Sequence, residues 1–233
     1  MTDLKAARQA LHRLANPEKA RVQRGFFKNS LDDVFLGIPA ASVRRIAKDF
    51  EHFTLTDIRR LKQSAVHEER SLAHEILRRQ FGRAGEAGRK KIFDFYIRNR
   101  TLIRDWDGVD DSAPYIVGPW LLDRDKAPLY ELAQSPRLWD RRMAIVSTWW
   151  FIRNGSIQDT LALAEILLHD REDLIQKATG WMLREVGKKD LTALERFLRR
   201  HHASMPRTTL RYAIERFPPE KRQSYLKRRI AIP

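Results

Sequence analysis

Apolar residues in this chain return every three or four positions along almost its whole length, and no stretch alternates apolar with polar. That spacing is the repeat of a helix face, so the chain is confined to helices packed on helices. Leu4, Ala7, Leu11 and Leu14 make the first stripe, which ends before Pro17. Pro17 stands at a favoured first helical position and opens a second helix over 17–27. Gly37–Ile38–Pro39 reads as a turn. Val43, Ile46, Ala47 and Phe50 mark a third helix, and 54–64 a short one that Thr54 or Thr56 can cap. Leu72, Ala73, Ile76 and Leu77 continue the series, and Gly82, Gly85 and Gly88 interrupt it before Ile92, Phe95 and Tyr96. Further helices are predicted over 129–132, 138–152, 157–168, 172–186, 191–198 and 207–217, followed by a basic tail. The fold class is all-α.

Helix pairs recur at roughly 35–45 residues, the unit size of HEAT-like repeats. The expected architecture is therefore a single domain, 1–233, of HEAT-like helical repeats forming a curved α-α superhelix, or solenoid. A globular helical bundle is the alternative. A solenoid presents an extended concave face, which suits a rod-like polyanion. The charge points the same way. The formal net charge is +15, with +10 on residues 1–100, −3 on 101–190 and +8 on 191–233. Two basic ends flanking a mildly acidic middle imply a nucleic-acid partner. The chain has no cysteine, which removes disulfides, thiolate nucleophiles and Cys-based metal sites together. It has no long apolar run and no apolar signal core at Met1–Ala6, so a cytoplasmic protein with no membrane contact is expected.

Against that basic background, Asp105, Asp107, Asp110 and Asp111 crowd into seven positions around Trp106. Pro114 is tolerated only in the first turn of a helix, so Asp110, Asp111 or Ser112 is expected at a helix start. One aspartate needs no other explanation than capping. Four of them beside a tryptophan suggest more, because a carboxylate against an aromatic wall stabilises a cation. Asp107 and Asp111 are read as capping or surface groups.

Other candidates carry plainer alternatives. Trp181 continues the stripe of Leu174 and Ala178, compatible with core, although Gly180 beside it permits close approach of a backbone or a ligand. Trp139, Trp149 and Trp150 are read as core. Arg142 interrupts the apolar stripe of Leu138, Val146 and Trp149. Its head group can meet solvent or Asp140, or it can grip a phosphate. Arg141 is expected to be solvated. The seven histidines are scattered without metal-binding spacing, and no phosphate loop or dinucleotide fingerprint occurs. No metal and no cofactor is expected.

Three ordered segments carry a resemblance. They are Trp106–Asp107–Gly108–Val109–Asp110, then Leu138–Trp139–Asp140–Arg141–Arg142–Met143–Ala144–Ile145, then Leu174–Ile175–Gln176–Lys177–Ala178–Thr179–Gly180–Trp181–Met182–Leu183–Arg184–Glu185. Together with Phe26–Phe27–Lys28–Asn29 and Phe35–Leu36–Gly37–Ile38, they resemble the AlkD-type bacterial DNA alkylation repair glycosylases over nearly the whole chain. The resemblance implies helical repeats curved around duplex DNA and excision of cationic alkylpurines, chiefly 7-methylguanine and 3-methyladenine. It places Asp110 as the catalytic aspartate, Trp106 and Trp181 as the tryptophans lining the cleft, and Arg142 as the arginine that secures DNA. Phe26 stands where the family has a tyrosine, a departure that deletes a hydroxyl. Lys28, Arg44, Arg45 and Lys48, with Arg207, Arg211 and Lys227–Arg228–Arg229, are candidates for phosphate contact. The partner implied is double-stranded DNA containing alkylated bases, met by a monomer in the bacterial cytosol or nucleoid. A non-catalytic HEAT-like protein that binds branched or damaged DNA would share the fold and the charge, and a protein–protein scaffold is the third reading.

Overall fold

The computed structural model describes residues 3–27 and 32–227. Lys28, Arg228 and Arg229 lie outside them. The chain divides into two compact units, Met1–Ile116 and Val117–Pro233. Among the described residues the only β feature is an isolated bridge between Val34 and Val66, so the all-α expectation holds. No helix among them is long and apolar enough to cross a membrane.

The first unit contains α1 (Asp3–His12), α2 (Pro17–Arg24), α3 (Ala40–Asp49), α4 (Leu55–Lys62), α5 (His67–Arg83), α6 (Glu86–Arg98) and the short α7 (Trp106–Asp110). Thr54 starts α4 with a capping box shared with Asp57, as its sequence position suggested. The second helix is shorter than its periodicity implied, because Arg24 ends it and Phe26 and Phe27 fall in the following turn. Gly82 lies inside α5 and Gly88 inside α6, so only Gly85, at the start of α6, separates helices.

Helix α5 is the centre of this unit and packs against α1, α3, α4, α6 and α7. Its burial is not confined to one apolar stripe. Leu72, Ala73, Ile76, Leu77 and Phe81 are buried, and so are His67, Glu68, Glu69, Arg70, His74 and Glu75. Buried charge is tolerated only where it is paired. Glu68 accepts hydrogen bonds from the backbone N–H groups of Leu36, Gly37 and Ile38 at 2.9, 2.8 and 3.2 Å. It thereby fixes the loop before α3. Gly37 has φ of +77° there, and a Cβ on it would stand 2.2 Å from the Asn16 carbonyl oxygen, so only glycine fits. Glu69 pairs with Arg8 of α1 at 3.0 Å.

Helix α8 (Ala113–Leu121) crosses the boundary between the units. Ser112 immediately precedes it and its carbonyl accepts from the Ile116 N–H at 3.0 Å, which settles which of the three candidates stands at that helix start. The second unit continues with α9 (Ala127–Ala133), α10 (Leu138–Arg153), α11 (Gln158–Ile166), α12 (Asp173–Lys189), α13 (Leu191–His201), α14 (Arg207–Ala213) and α15 (Pro219–Leu226). The last of these lies where only a basic tail was expected. Helix α12 packs on α10, α11, α13 and α14. Trp139, Trp149 and Trp150 are only partly buried, contrary to their reading as core, and the Arg153 guanidinium lies 4.8 Å from the Trp149 ring centroid. Arg141 is not solvated either: it pairs with Asp170 at 2.6 Å and donates to the carbonyls of Ser135 and Pro136.

Gly180 supplies the close approach between α12 and α14. A Cβ there would stand 2.5 Å from the Tyr212 Cβ and 2.6 Å from the Thr209 carbonyl oxygen. Alanine is favoured over glycine inside a helix by about 1 kcal/mol. Here the clash is with backbone and Cβ atoms that cannot rotate away, and overpacking costs about 1–3 kcal/mol. Gly180→Ala is therefore expected to lower the free energy of urea unfolding by up to about 2 kcal/mol net, while alanine at Gly82, which meets no atom within 4 Å, should not.

Candidate functional site

The crowded aspartates separate into different roles once α7 is placed. Asp105 adopts extended backbone and is the N-cap: its Oδ1 accepts from the Gly108 N–H at 3.1 Å. Trp106 is the first residue of the helix, Asp110 the last, and exposed Asp111 its C-cap. A Cβ on Gly108 would come within 2.5 Å of Asp105 Oδ1, so the cap requires glycine there.

Asp105 is almost wholly buried, at 3% exposure, and its other oxygen meets two cations. Arg70 Nη2 donates to Asp105 Oδ2 at 2.9 Å, and His67 Nδ1 lies 3.5 Å from the same oxygen. Arg70 also holds Asp33 through both terminal nitrogens. His67 Nε2 reaches Asp107 Oδ2 at 2.9 Å. Asp107 is thus neither a cap nor a surface group; it is the second carboxylate on His67. Burial pushes Asp105 up, but the His67 hydrogen bond and charge, with Arg70, outweigh it and hold Asp105 well below the usual carboxylate range. Burial alone would lower His67; the hydrogen bonds and charges of Asp105 and Asp107 overcome it and raise the ring to about 10. Asp107 is raised to about 6, chiefly by burial.

Donor atoms of Asp33, His67 and Asp105 lie within 4.8 Å of one another, a spacing that a metal ion could bridge. The chemistry does not fit one, because the guanidinium of Arg70 already bonds both carboxylates. A second buried base, Lys62, lies beside this cluster with its Nζ 3.4 Å from His74 Nδ1 and 5.4 Å from the Tyr96 ring centroid. Burial lowers Lys62 to about 7, with Asp105 opposing, and burial with the Lys62 charge takes His74 well below its ordinary value.

The aromatic side of the site is built on the same residues. The Phe27 ring stacks on Trp106 with centroids 5.2 Å apart and planes 10° apart. Behind it, His67 lies 4.6 Å from Phe27 and 4.8 Å from Phe35. The Trp106 Nε1–H points to the Phe26 carbonyl at 3.4 Å. Phe26 itself is 68% exposed, so Phe27, not Phe26, supplies the ring against Trp106. Trp106 and Asp110 are both partly exposed and stand one turn apart, at i and i+4, on one face of α7. Arg44 and Arg45 are exposed on α3. A cavity of about 50 Å³, lined by Arg44, Glu75, Asp107 and Asp111 among others, opens beside them. Asp107 Oδ1 finds no protein hydrogen-bond partner, and a polar cavity of this size has room for water to serve it.

In the second unit, Trp181 is partly exposed on α12. Arg142 is 5% exposed, and its Nη1 donates to the Leu174 carbonyl, which ties α10 to α12. Arg207 and Arg211 are exposed on α14, with Arg207 Nη1 donating to the Leu226 carbonyl at 2.9 Å.

Residues 7–217 match the family described as DNA alkylation repair enzyme. The chain belongs to the DNA alkylation repair enzyme family. Membership places it in the repair of alkylated DNA, with DNA as the partner. Among solved structures it is similar to one described as a predicted DNA alkylation repair enzyme from Enterococcus faecalis, at 19% identity and a TM-score of 0.68, over 88% of this chain and 97% of that one. At that identity the likeness speaks for the shared helical fold. No curated protein sequence matches the chain.

The DNA alkylation repair fold carries residues that periodicity could not single out: Asp33, His67, Arg70 and Phe27. The available signal was the run His67–Glu68–Glu69–Arg70 directly before the apolar stripe of α5. Both buried bases lead to a stability test. His67 is raised in the folded protein, so its stabilisation is complete below about pH 6.5 and lost as pH rises toward 10. Lys62 is lowered, so keeping it buried costs most below about pH 7 and nothing above its ordinary value. Denaturant unfolding at several pH values should find His67→Gln most destabilised relative to wild type near pH 6, with the gap closing toward pH 10. Lys62→Met should gain most stability relative to wild type near pH 6, its advantage shrinking over the same range.

Proposed function

We propose that this family member is a monofunctional DNA glycosylase that hydrolyses the N-glycosidic bond of cationic alkylated purines in duplex DNA, 7-methylguanine and 3-methyladenine in particular. The observation that carries the reading is the placement of Trp106 and Asp110 on one face of a short helix whose cap is locked by buried charge. An electron-rich ring and a carboxylate one turn apart make a surface for a cation.

The chemistry needs little else. Alkylation at a ring nitrogen leaves the purine positively charged, and the base departs as a neutral molecule. No general acid is required to protonate it. The barrier lies in the positive charge that develops on the deoxyribose as the bond breaks. Asp110 stabilises that charge and orients the water that attacks the anomeric carbon. Trp106 adds cation–π attraction. The base leaves with the bonding electron pair, the water oxygen bonds the sugar carbon, and the water gives up a proton.

Affinity comes from phosphates. Arg44 and Arg45 are exposed for that role; Arg142, which the resemblance gives to DNA, is 5% exposed and bonded to the Leu174 carbonyl, Phe26 offers an exposed ring without charge, and Lys28 lies outside the described residues. The protein works in this reading as a cytoplasmic monomer without a cofactor.

Incubating methylated duplex DNA with excess protein and measuring free 7-methylguanine tests the proposal. Wild type should release the base, and Asp110→Asn should do so about 100- to 1000-fold more slowly, the loss typical of removing one preorganised electrostatic group. Equal background rates from the two proteins would sink the reading. Asp110→Asn should keep wild-type DNA affinity, and Arg44→Ala with Arg45→Ala should weaken it and flatten its steep dependence on salt. Tight binding with no release by either protein would instead favour a purely DNA-binding role.

A further inference from the structure

His67 takes no part in the reaction above, yet it touches each element that carries the Trp106–Asp110 pair. One ring nitrogen faces the cap residue Asp105 at 3.5 Å, and the other reaches Asp107, in the first turn of α7, at 2.9 Å. Its ring centroid lies 4.6 Å from that of Phe27, which stacks on Trp106, with the His67 and Phe27 planes tilted by 56°. A five-residue helix is too short to hold its own shape or direction, so its orientation comes from such anchors. Asp105 has a second anchor in Arg70, which is itself tied to Asp33. The bridge from Asp105 to Asp107 belongs to His67, and the backing of Phe27 is shared between His67 and Phe35, whose ring centroid lies 5.2 Å from that of Phe27.

We propose that His67 is a positioning residue: its ring joins the cap and first turn of α7 and backs Phe27, so that Trp106 and Asp110 are held in register for the reacting nucleotide. The proposal rests on the glycosylase reading for its effect on rate, and on geometry alone for its effect on Trp106. Histidine suits the task because it offers two N–H donors on opposite edges of a flat ring. Lysine has no flat ring to stack on Phe35 and pack against Phe27, and glutamine has a single amide end in place of two donors on opposite edges. The groups that face the ring are Asp33 and Phe35 from the segment before α3, Arg70 from α5, Asp105 and Asp107 from α7, and Phe27.

The test uses His67→Gln and the milder Asp107→Asn, which leaves the partly exposed side of the bridge uncharged and serves if the first variant does not fold. Three quantities are measured on the full chain: the single-turnover rate of 7-methylguanine release, the Kd for methylated duplex, and the fluorine NMR spectrum after 5-fluorotryptophan labelling. The chain has six tryptophans, and the Trp106 line is assigned by its loss in Trp106→Phe. The expected result is release slowed about ten- to a hundredfold, as for a small misplacement of reacting groups. Kd should stay within about twofold, since none of these groups is a phosphate contact. The Trp106 line should shift or broaden while the other five stay in place.

An unmoved Trp106 line in both variants overturns the proposal whatever the rates do. A moved line with an unchanged rate, in a wild type that releases base, overturns it as well. If the wild type releases no base at all, the glycosylase reading falls by itself, and the Trp106 line then decides alone whether His67 positions that ring.

Discussion

Burying the Asp105 carboxylate is the constraint on which the first unit turns. An ionised carboxylate loses several kcal/mol of hydration when it leaves water, and it regains this only with well-placed partners. Asp105 receives three: the Gly108 amide, the Arg70 guanidinium and the His67 ring. Each comes with its own requirements. The amide is reachable because residue 108 has no Cβ. Arg70 is bidentate on Asp33, which fixes the segment leading into Phe35 and Gly37. His67 must be charged, which the second carboxylate of Asp107 secures. Helix α5 therefore buries ionisable groups beside its apolar residues, and α7 is held at its N-terminus by a network of several partners.

That network explains what the sequence could and could not reveal. Most helices were legible because they bury a stripe, as with Leu4, Ala7 and Leu11 on α1 or Ala193, Leu194 and Phe197 on α13. The capping of α4 by Thr54 was legible because its partner Asp57 lies three residues away. The same locality made Trp106 and Asp110 stand out. Asp33, His67 and Arg70 were illegible because their partners are 35 to 40 positions distant or on other helices: Asp33 to Arg70 spans 37 residues and Arg70 to Asp105 spans 35. In a chain of charge +15, one more arginine beside two glutamates reads as solvated surface. Only the fold turns it inward. The tryptophans erred the other way. Their apolar neighbours suggested core, but Trp149 sits at the edge, where a cation from Arg153 covers its face.

The division of charge also separates binding from chemistry. Exposed arginines such as Arg44 and Arg45, proposed above as phosphate contacts, stand in water, where salt screens them over about 8–10 Å. The buried cluster of Asp33, Asp105 and Asp107 with Arg70 and His67 is nearly closed to solvent and is screened much less. Counted without the neighbouring Lys62, its three carboxylates and two cations carry a formal charge of −1. On the glycosylase reading proposed above, a positively charged nucleotide would meet Trp106 and Asp110, while its phosphates would meet the exposed arginines. Raising the salt weakens the second contact and leaves the first in place. Affinity and rate should accordingly part company as ionic strength rises, because the groups that hold DNA and those that would hold α7 in register for the reaction lie on opposite sides of the protein–water boundary.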